Sequence, residues 1–182
     1  MATNCFDNAP FESLDSCPND EVSGGISTRI LYAPIAFLDK CTLPPNTGEL
    51  GKANTIEDGN LTLITGKTWK GIDVQINENE LKTSLVGNAG NKKAKSDLEA
   101  KIPRFSDKVL DFIGRYKNVP MIFVVPDAVG TLWVVGTKIN PAFMDSADAT
   151  TGKKAEDDSG VTLKITTNSK LYKYAGSVAE GA

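Results

Sequence analysis

Residues 118–138, NVPMIFVVPDAVGTLWVVGTK, decide the fold class of this chain. Two apolar runs, residues 121–125 and 132–135, are rich in valine and aromatic residues, and the short loop between them ends in Gly130. Short β-branched runs joined by a glycine-containing loop are typical of a β-hairpin. The stretch therefore predicts two paired strands at the centre of the domain.

An amphipathic segment lies directly before this hairpin. Ser106 is a candidate N-cap, and Asp107 suits the positive end of a helix dipole. Apolar residues then recur at helical spacing, at Val109, Leu110, Phe112, Ile113 and Tyr116. Asn118 and Pro120 end the pattern. We expect one helix here, docked onto the hairpin.

The remaining segments resemble short strands separated by turns. Residues 26–38 are strand-like but broken by Pro34, and residues 80–102 alternate as one long hairpin. Further strands are expected at 61–65 and 69–76, and a last hairpin at 161–166 and 171–174, whereas 42–60 and 140–160 look like long loops. About eight strands and one helix predict a mostly β (α+β) fold. We expect an antiparallel β-sandwich or partly closed barrel with one flanking α-helix.

The termini differ in composition from this body. Residues 1–25 are polar and predict an extended N-terminal arm with few apolar anchors. Residues 26–175 would form a single β-rich domain, and residues 176–182 a C-terminal tail that reaches outward. The N-terminus has neither the basic nor the apolar region of a secretory signal, so synthesis in the cytoplasm is expected. No apolar run approaches the ~20 residues of a membrane span.

The amino-acid composition argues against most catalytic and metal sites. The chain of 182 residues contains no histidine, which excludes Ser-His-Asp and Cys-His catalysis and histidine-ligated metals. Its three cysteines, Cys5, Cys17 and Cys41, have no metal-binding spacing and are expected to be free thiols. We therefore expect no enzyme activity, cofactor or metal. An enzyme built on carboxylates alone stays an alternative.

Two features leave other binding functions open. The aspartates of residues 140–160 could bind calcium, but they lack the spacing of an EF-hand, and a solvated acidic loop is the simpler interpretation. Trp133 lies in an apolar run and suits core packing, whereas Trp69 lies among Lys67, Lys70 and Gly71. Trp69 could therefore cover a loop or an interface, or stack on a sugar ring.

Charge is unevenly distributed along the chain. Residues 1–23 carry five acidic and no basic side chains, and residues 91–117 carry eight basic and four acidic ones. Solvated faces explain such asymmetry most simply. The alternative is that the acidic arm docks on the basic surface of a neighbouring copy. Sequence-specific nucleic-acid binding would need a stronger basic excess.

This layout resembles the tail tube (major tail) proteins of long-tailed bacteriophages, in particular those of phages or prophages of Bacteroidetes-type hosts. The resemblance covers residues 56–174. It rests on the order of the helix, the stretches NVPMIFV (118–124) and GTLWVVG (130–136), and the phrases NPA (140–142), TGK (151–153) and DDSGVT (157–162). The resemblance implies a virion structural protein, made in the bacterial host, whose hexameric rings stack around a channel for DNA.

The resemblance also implies roles for particular segments. Strands from six copies would close an inner barrel, and hairpin 80–102 with strand 69–76 is the expected wall. Acidic side chains would give the channel a negative charge that lets DNA slide: Asp73, Glu78, Glu80, Asp97 and Glu99. Ring-to-ring contacts would come from the arm, loop 42–60 and the tail, with Phe6, Phe11, Leu14, Pro44, Pro45 and Trp69 as candidate inter-subunit residues.

The partners implied are further copies of the chain, other tail or capsid proteins, and DNA in transit; no membrane is involved. A capsid decoration protein or a head–tail connector would share much of this layout. A carbohydrate or host-surface binding module is a further alternative and would use an exposed Trp69.

Overall fold

The computed structural model describes residues 13, 24–45, 50–154 and 156–181. These residues form twelve strands and one α-helix, with two short 3₁₀ turns at Ile35–Phe37 and Lys52–Asn54. The strands are β1 (Arg29–Pro34), β2 (Leu38–Cys41), β3 (Thr55–Ile56), β4 (Leu61–Leu63), β5 (Lys70–Asp73), β6 (Glu80–Val86), β7 (Lys93–Pro103), β8 (Met121–Pro126), β9 (Leu132–Val135), β10 (Phe143–Thr150), β11 (Gly160–Thr167) and β12 (Tyr172–Tyr174); helix α1 spans Asp107–Tyr116.

Three open sheets build the domain. The largest has six strands in the order β3-β12-β9-β8-β1-β5, and the second has four in the order β10-β11-β7-β6. β2 and β4 form a small third sheet. Because the two main sheets pack face to face and neither closes on itself, the expected β-sandwich is confirmed and the barrel alternative is not needed.

The hairpin of β8 and β9 is the centre of the core, as its sequence predicts. Every residue from Met121 to Val125 is at most 1% exposed. Alternate side chains of β8 point to opposite faces: Met121, Phe123 and Val125 pack toward the four-stranded sheet, while Ile122 and Val124 pack toward the small sheet. A strand buried on both faces explains why this run is continuously apolar.

Helix α1 fills the part of the sandwich that the six-stranded sheet leaves open. Its apolar side packs on Ile102, Val161 and Leu163 of β7 and β11, and its last residue, Tyr116, reaches the cluster around Phe123. The helix therefore docks mainly on the four-stranded sheet, whereas the sequence predicts docking on the β8–β9 hairpin. Leu110, expected in the apolar stripe, is 38% exposed.

Two expectations for the C-terminal third of the body are wrong. Residues 140–160 are not one long loop, because residues 143–150 (FMDSADAT) form strand β10. Residues 161–174 are not a hairpin either: β11 pairs with β7 and β10, whereas β12 pairs with β9 and β3 in the other sheet. Alternation of small and polar residues hides β10, since only Met144 and Ala147 contribute to a core cluster.

The C-terminal tail lies against the body instead of reaching outward. Glu180 forms a parallel bridge with Trp69, and Gly181 donates its backbone N–H to the Trp69 carbonyl. The Glu180 carboxylate also accepts a hydrogen bond from Arg29 Nε at 2.6 Å, and Val178 packs against the core. The tail thereby covers the β5 edge of the six-stranded sheet.

Candidate assembly surface

The four-stranded sheet has two free edges within the described residues. β6, with seven residues, forms one edge, and β10, with eight, forms the other. Edge strands of this length expose a row of backbone N–H and C=O groups that can pair with another chain. The same sheet therefore offers two separate pairing surfaces.

Hydrogen bonds show which backbone groups face each edge. Lys101 of β7 directs its N–H and C=O toward the β6 side, where it bonds Asn79 Oδ1 at 2.9 Å and the Gln75 N–H at 2.7 Å. Because backbone groups alternate between the two sides of a strand, Glu80, Lys82 and Ser84 pair with β7. The backbone groups of Leu81, Thr83 and Leu85 therefore point to the free edge.

The same alternation orients β10. Register places Phe143, Ser146 and Asp148 opposite the β11 residues that pair with them. The backbone N–H and C=O groups of the alternate residues are consequently directed away from β11: Met144, Ala147 and Ala149. Each edge thus presents three residues with backbone groups available for pairing.

One face of this sheet is mostly polar, with Val86 and Phe143 as exposed apolar residues at its two edges. Side chains of β7 alternate, with Ser96, Leu98, Ala100 and Ile102 buried and the residues between them partly exposed. The register aligns the exposed residues across all four strands. They carry acidic and basic groups together: Glu80, Asp97, Glu99 and Asp148 on one hand, and Lys82, Lys95, Lys101 and Lys164 on the other. Asp145, at the bulge of β10, borders the same surface.

Lysines neutralise much of the acidic charge on this polar face. Lys95 lies 3.2 Å from Asp97, and Lys164 lies 3.5 Å from Glu99. Lys101 contacts Asp158 at 2.8 Å; this hydrogen bond raises the pKa of Lys101 and lowers the pKa of Asp158. The surface is therefore a mixed-charge face: Lys82, Lys95 and Lys101, which the sequence already places among the expected acidic residues, share it with Lys164.

The structure brings together four of the five acidic residues expected to line a channel. Glu80, Asp97 and Glu99 share the polar face, and Glu78 lies at its margin, 3.8 Å from Lys101. Asp73 is elsewhere: it ends β5 in the six-stranded sheet, where it pairs with Arg29. The two parts of the expected wall therefore lie in different sheets: β5, within 69–76, belongs to the six-stranded sheet, and hairpin 80–102 to the four-stranded one.

The candidate inter-subunit residues are distributed differently. Phe6, Phe11 and Leu14 lie outside the described residues. Pro44 and Pro45 are at least partly exposed, at the start of the loop that leads to β3. Trp69 is only 6% exposed and belongs to a core cluster against which Val178 of the C-terminal tail packs. Its ring is thus absent from the surface, where both the interface and the sugar-stacking interpretations need it.

Trp133 is less buried than Trp69, which reverses their expected order. The Trp133 ring donates from Nε1 to Asp127 Oδ2 at 3.0 Å. The Asp127 carboxylate also accepts the backbone N–H groups of Val129, at 2.9 Å, and Thr131, at 2.8 Å. Burial alone would raise the pKa of Asp127, but these hydrogen bonds outweigh it and lower the pKa. The carboxylate therefore holds the β8–β9 turn closed.

The remaining candidate features are a metal site, the aspartates of residues 140–160, the cysteines and a membrane span. In the described part of the chain, no group of three or more His, Cys, Asp or Glu side chains is placed to bind a metal ion. Within residues 140–160, Asp157 accepts the backbone N–H groups of Lys153 and Lys154, both at 2.9 Å. Cys41 is a partly buried free thiol whose pKa is raised by burial. No described helix is both long and apolar enough to cross a membrane.

Comparisons with known proteins do not assign the chain to a family. Neither the protein-family models, nor the curated protein sequences, nor the solved structures give a match. Sequence reasoning missed the second edge of the candidate surface, β10, because residues 143–150 (FMDSADAT) show no apolar alternation and a bulge between Met144 and Ser146 interrupts the period of the strand.

Proposed function

We propose that this chain is a self-assembling structural protein of a bacteriophage virion, most specifically a tail tube subunit. The observation that carries the proposal is the pair of free edges, β6 and β10, on one four-stranded sheet with a polar face. Copies would join edge to edge into closed rings, and the rings would stack. Ring closure would leave neither edge exposed.

Strand directions permit this head-to-tail pairing. All three pairings within the sheet are antiparallel, so β6 and β10 run in opposite directions. Copies related by rotation about a ring axis keep their strand directions. The β6 strand of one copy therefore meets the β10 strand of the next in antiparallel orientation, and the sheet continues without a break.

The shape of the domain determines which face would line the channel. The six-stranded sheet and α1 cover the apolar face of the four-stranded sheet, so they would occupy the outside of the ring. The polar face would then line the channel. Its ion-paired lysines and carboxylates would offer DNA no continuous basic surface, which favours passage over binding. The ring of six copies and the partners among tail proteins come from the sequence resemblance.

Proline substitutions in the two edges test this proposal. Thr83→Pro removes an N–H that faces the free side of β6, and Ala149→Pro does the same for β10. Prolines at edge positions leave the pairing inside the sheet intact, so both variants should fold. We expect wild-type protein to assemble with rising concentration in mass photometry and each variant to stay monomeric. The matched controls, Thr83→Val and Ala149→Val, should assemble.

Mixing the two proline variants tests the head-to-tail arrangement. Thr83→Pro retains an intact β10, and Ala149→Pro retains an intact β6, so an equal mixture should stop at dimers. Unimpaired assembly by either variant alone would contradict the role of the edges, and a mixture that stays monomeric would contradict the pairing of β6 with β10. Rings that form but never stack would favour the head–tail connector alternative.

A further inference from the structure

We propose that β6 and β10 of neighbouring copies pair in one register, in which Leu85 opposes Met144, Thr83 opposes Ala147, and Leu81 opposes Ala149. This inference rests on the proposed edge-to-edge assembly and adds to it the residues that would select the partner strand. The β-bulge at Asp145 is retained, so that Phe143 opposes Val86 and Ser146 opposes Ser84. The partner is a second copy of the chain.

Backbone orientation restricts the choice of register. The three outward-facing residues of β6 can only pair with the three outward-facing residues of β10, because antiparallel partners must exchange N–H and C=O groups. Permitted registers therefore differ by steps of two residues. In the proposed register every outward-facing residue of both strands has a partner, and a step in either direction leaves one on each strand without a partner.

Charge separates the proposed register from its neighbours. The proposed register places Lys82 opposite Asp148. Both side chains are exposed, and neither forms an ion pair within the described part of the chain. A step one way would place Asp148 opposite Glu80, and like charges directly opposite each other destabilise a sheet. A step the other way would place Asp148 opposite Ser84 and Lys82 opposite Thr150, and would lose the ion pair.

Exposed apolar side chains favour the same register. Leu85 is 68% exposed on the apolar face of the four-stranded sheet, and Val86 is 43% exposed on the polar face. Phe143 of β10 is 41% exposed, also on the polar face. Pairing Leu85 with Met144 and Val86 with Phe143 would remove these side chains from water on both faces at once.

The register is also compatible with a closed barrel. Within one copy, Glu80, Glu99, Lys164 and Ser146 lie on one line across the strands. Ser146 would then meet Ser84 of the next copy, a displacement of four residues for every four strands. A shear equal to the number of strands is that of the eight-stranded (β/α)₈ barrel, in which strands tilt by about 36°.

The direction of the displacement agrees with natural strand twist. Lys101 has its side chain on the polar face and its backbone groups toward β6. For L-amino acids this places β6 to the left of an upward-running β7 when the sheet is viewed from its apolar face. In this view β6 runs downward, so Ser84 lies below Glu80 on the same strand. The line across the strands that leaves Glu80 of one copy and reaches Ser84 of the copy on its right therefore ends four residues lower on β6. With the polar face inward, this is the right-handed coiling that strand twist requires.

Disulfide cross-linking tests the register directly. In a background with the native cysteines replaced (Cys5→Ser, Cys17→Ser, Cys41→Ala), the pair Ser84→Cys and Ser146→Cys keeps Lys82 and Asp148 in place. Directly opposed residues are within disulfide range, whereas diagonal neighbours are about 7–8 Å apart. We expect covalent oligomers under mild oxidation of assembled protein. The displaced pairs, Ser84→Cys with Asp148→Cys and Ser84→Cys with Phe143→Cys, should not cross-link.

Charge exchange provides a second measurement. Asp148→Lys should raise the concentration needed for assembly by about tenfold, and adding Lys82→Glu should restore it. Assemblies that cross-link only through a displaced pair would overturn the register and leave edge pairing intact. Protein that forms no assemblies in the cysteine-replaced background or in the wild type would overturn the proposed function itself.

Discussion

Asp127 shows how one carboxylate organises the central turn. Three donors converge on it, from Val129, Thr131 and the Trp133 ring. We expect Asp127→Asn to lower the free energy of unfolding at pH 7 by about 1–2 kcal/mol, because an amide cannot accept all three bonds. Urea unfolding, followed by tryptophan fluorescence, measures this loss. Asp111→Asn, on the exposed side of α1, is the matched control and should change little.

The pH dependence follows from the direction of the Asp127 pKa shift. Its pKa in the folded protein lies below the reference value of 3.8. The stabilisation is therefore fully present above about pH 4 and is lost as the pH falls through the lowered pKa. The difference between wild type and Asp127→Asn should consequently shrink in acid. A difference that stays constant from pH 7 to pH 3 would contradict this account of the turn.

Gly136 is required by both its conformation and its surroundings. Its φ is +92°, and a Cβ atom there would lie 2.8 Å from the Ala142 nitrogen and 3.0 Å from the Met121 oxygen. Gly130 has a similar φ, +90°, but open space around it. We expect Gly136→Ala to cost about 2–4 kcal/mol of unfolding free energy and Gly130→Ala about 1 kcal/mol. Equal losses in urea unfolding would show that backbone conformation alone determines the effect.

At the scale of elements, α1 is held by one side only. The Phe112 ring meets the Tyr32 ring edge to face, with 5.3 Å between centroids, whereas Leu110 faces outward. We expect Phe112→Ala to lower the free energy of unfolding by about 2–3 kcal/mol. Leu110→Ala, the matched control, should stay within about 0.5 kcal/mol of wild type. A larger loss at Leu110 would place the helix in a different orientation.

The C-terminal tail is a second element whose removal has a defined consequence. Deleting residues 177–182 would remove Val178 and Glu180 and uncover Trp69. In a Trp133→Phe background, the emission of Trp69 should shift to longer wavelength. Glu180→Gln keeps the bridging backbone and should leave the emission near that of the parent. An unchanged spectrum after the deletion would contradict the tail's position on β5.

Sequence patterns predict the elements whose own side chains form a clear apolar run or stripe. The β8–β9 hairpin and the β6–β7 hairpin follow from apolar runs, alternation and glycine turns, and α1 follows from its stripe and from Asp107. β10 could not be found in this way, because its partly buried side chains, Met144 and Ala147, pack against Ile102, Val161 and Leu163 of other strands. Trp69 is a similar case, since its cover comes from residues more than a hundred positions later.

The candidate surface could be predicted only in part, for the same reason. Alternation along residues 80–102 identifies Glu80, Asp97 and Glu99 as outward-facing. Sequence does not reveal that Lys164 joins them, because long-range register alone places it beside Glu99. The free edges are likewise a property of the assembled sheet. The resemblance implies a negative wall that Lys82, Lys95 and Lys101 blur, and the fold adds Lys164 to the same face.

In the proposed assembly, whole molecules join through the two edges of the four-stranded sheet. Electron microscopy of concentrated wild-type protein would show this arrangement. We expect closed rings or stacked tubes with a central channel, lined by four-stranded sheets that continue from one copy into the next. Single copies at every concentration, or rings joined through the six-stranded sheet, would contradict it.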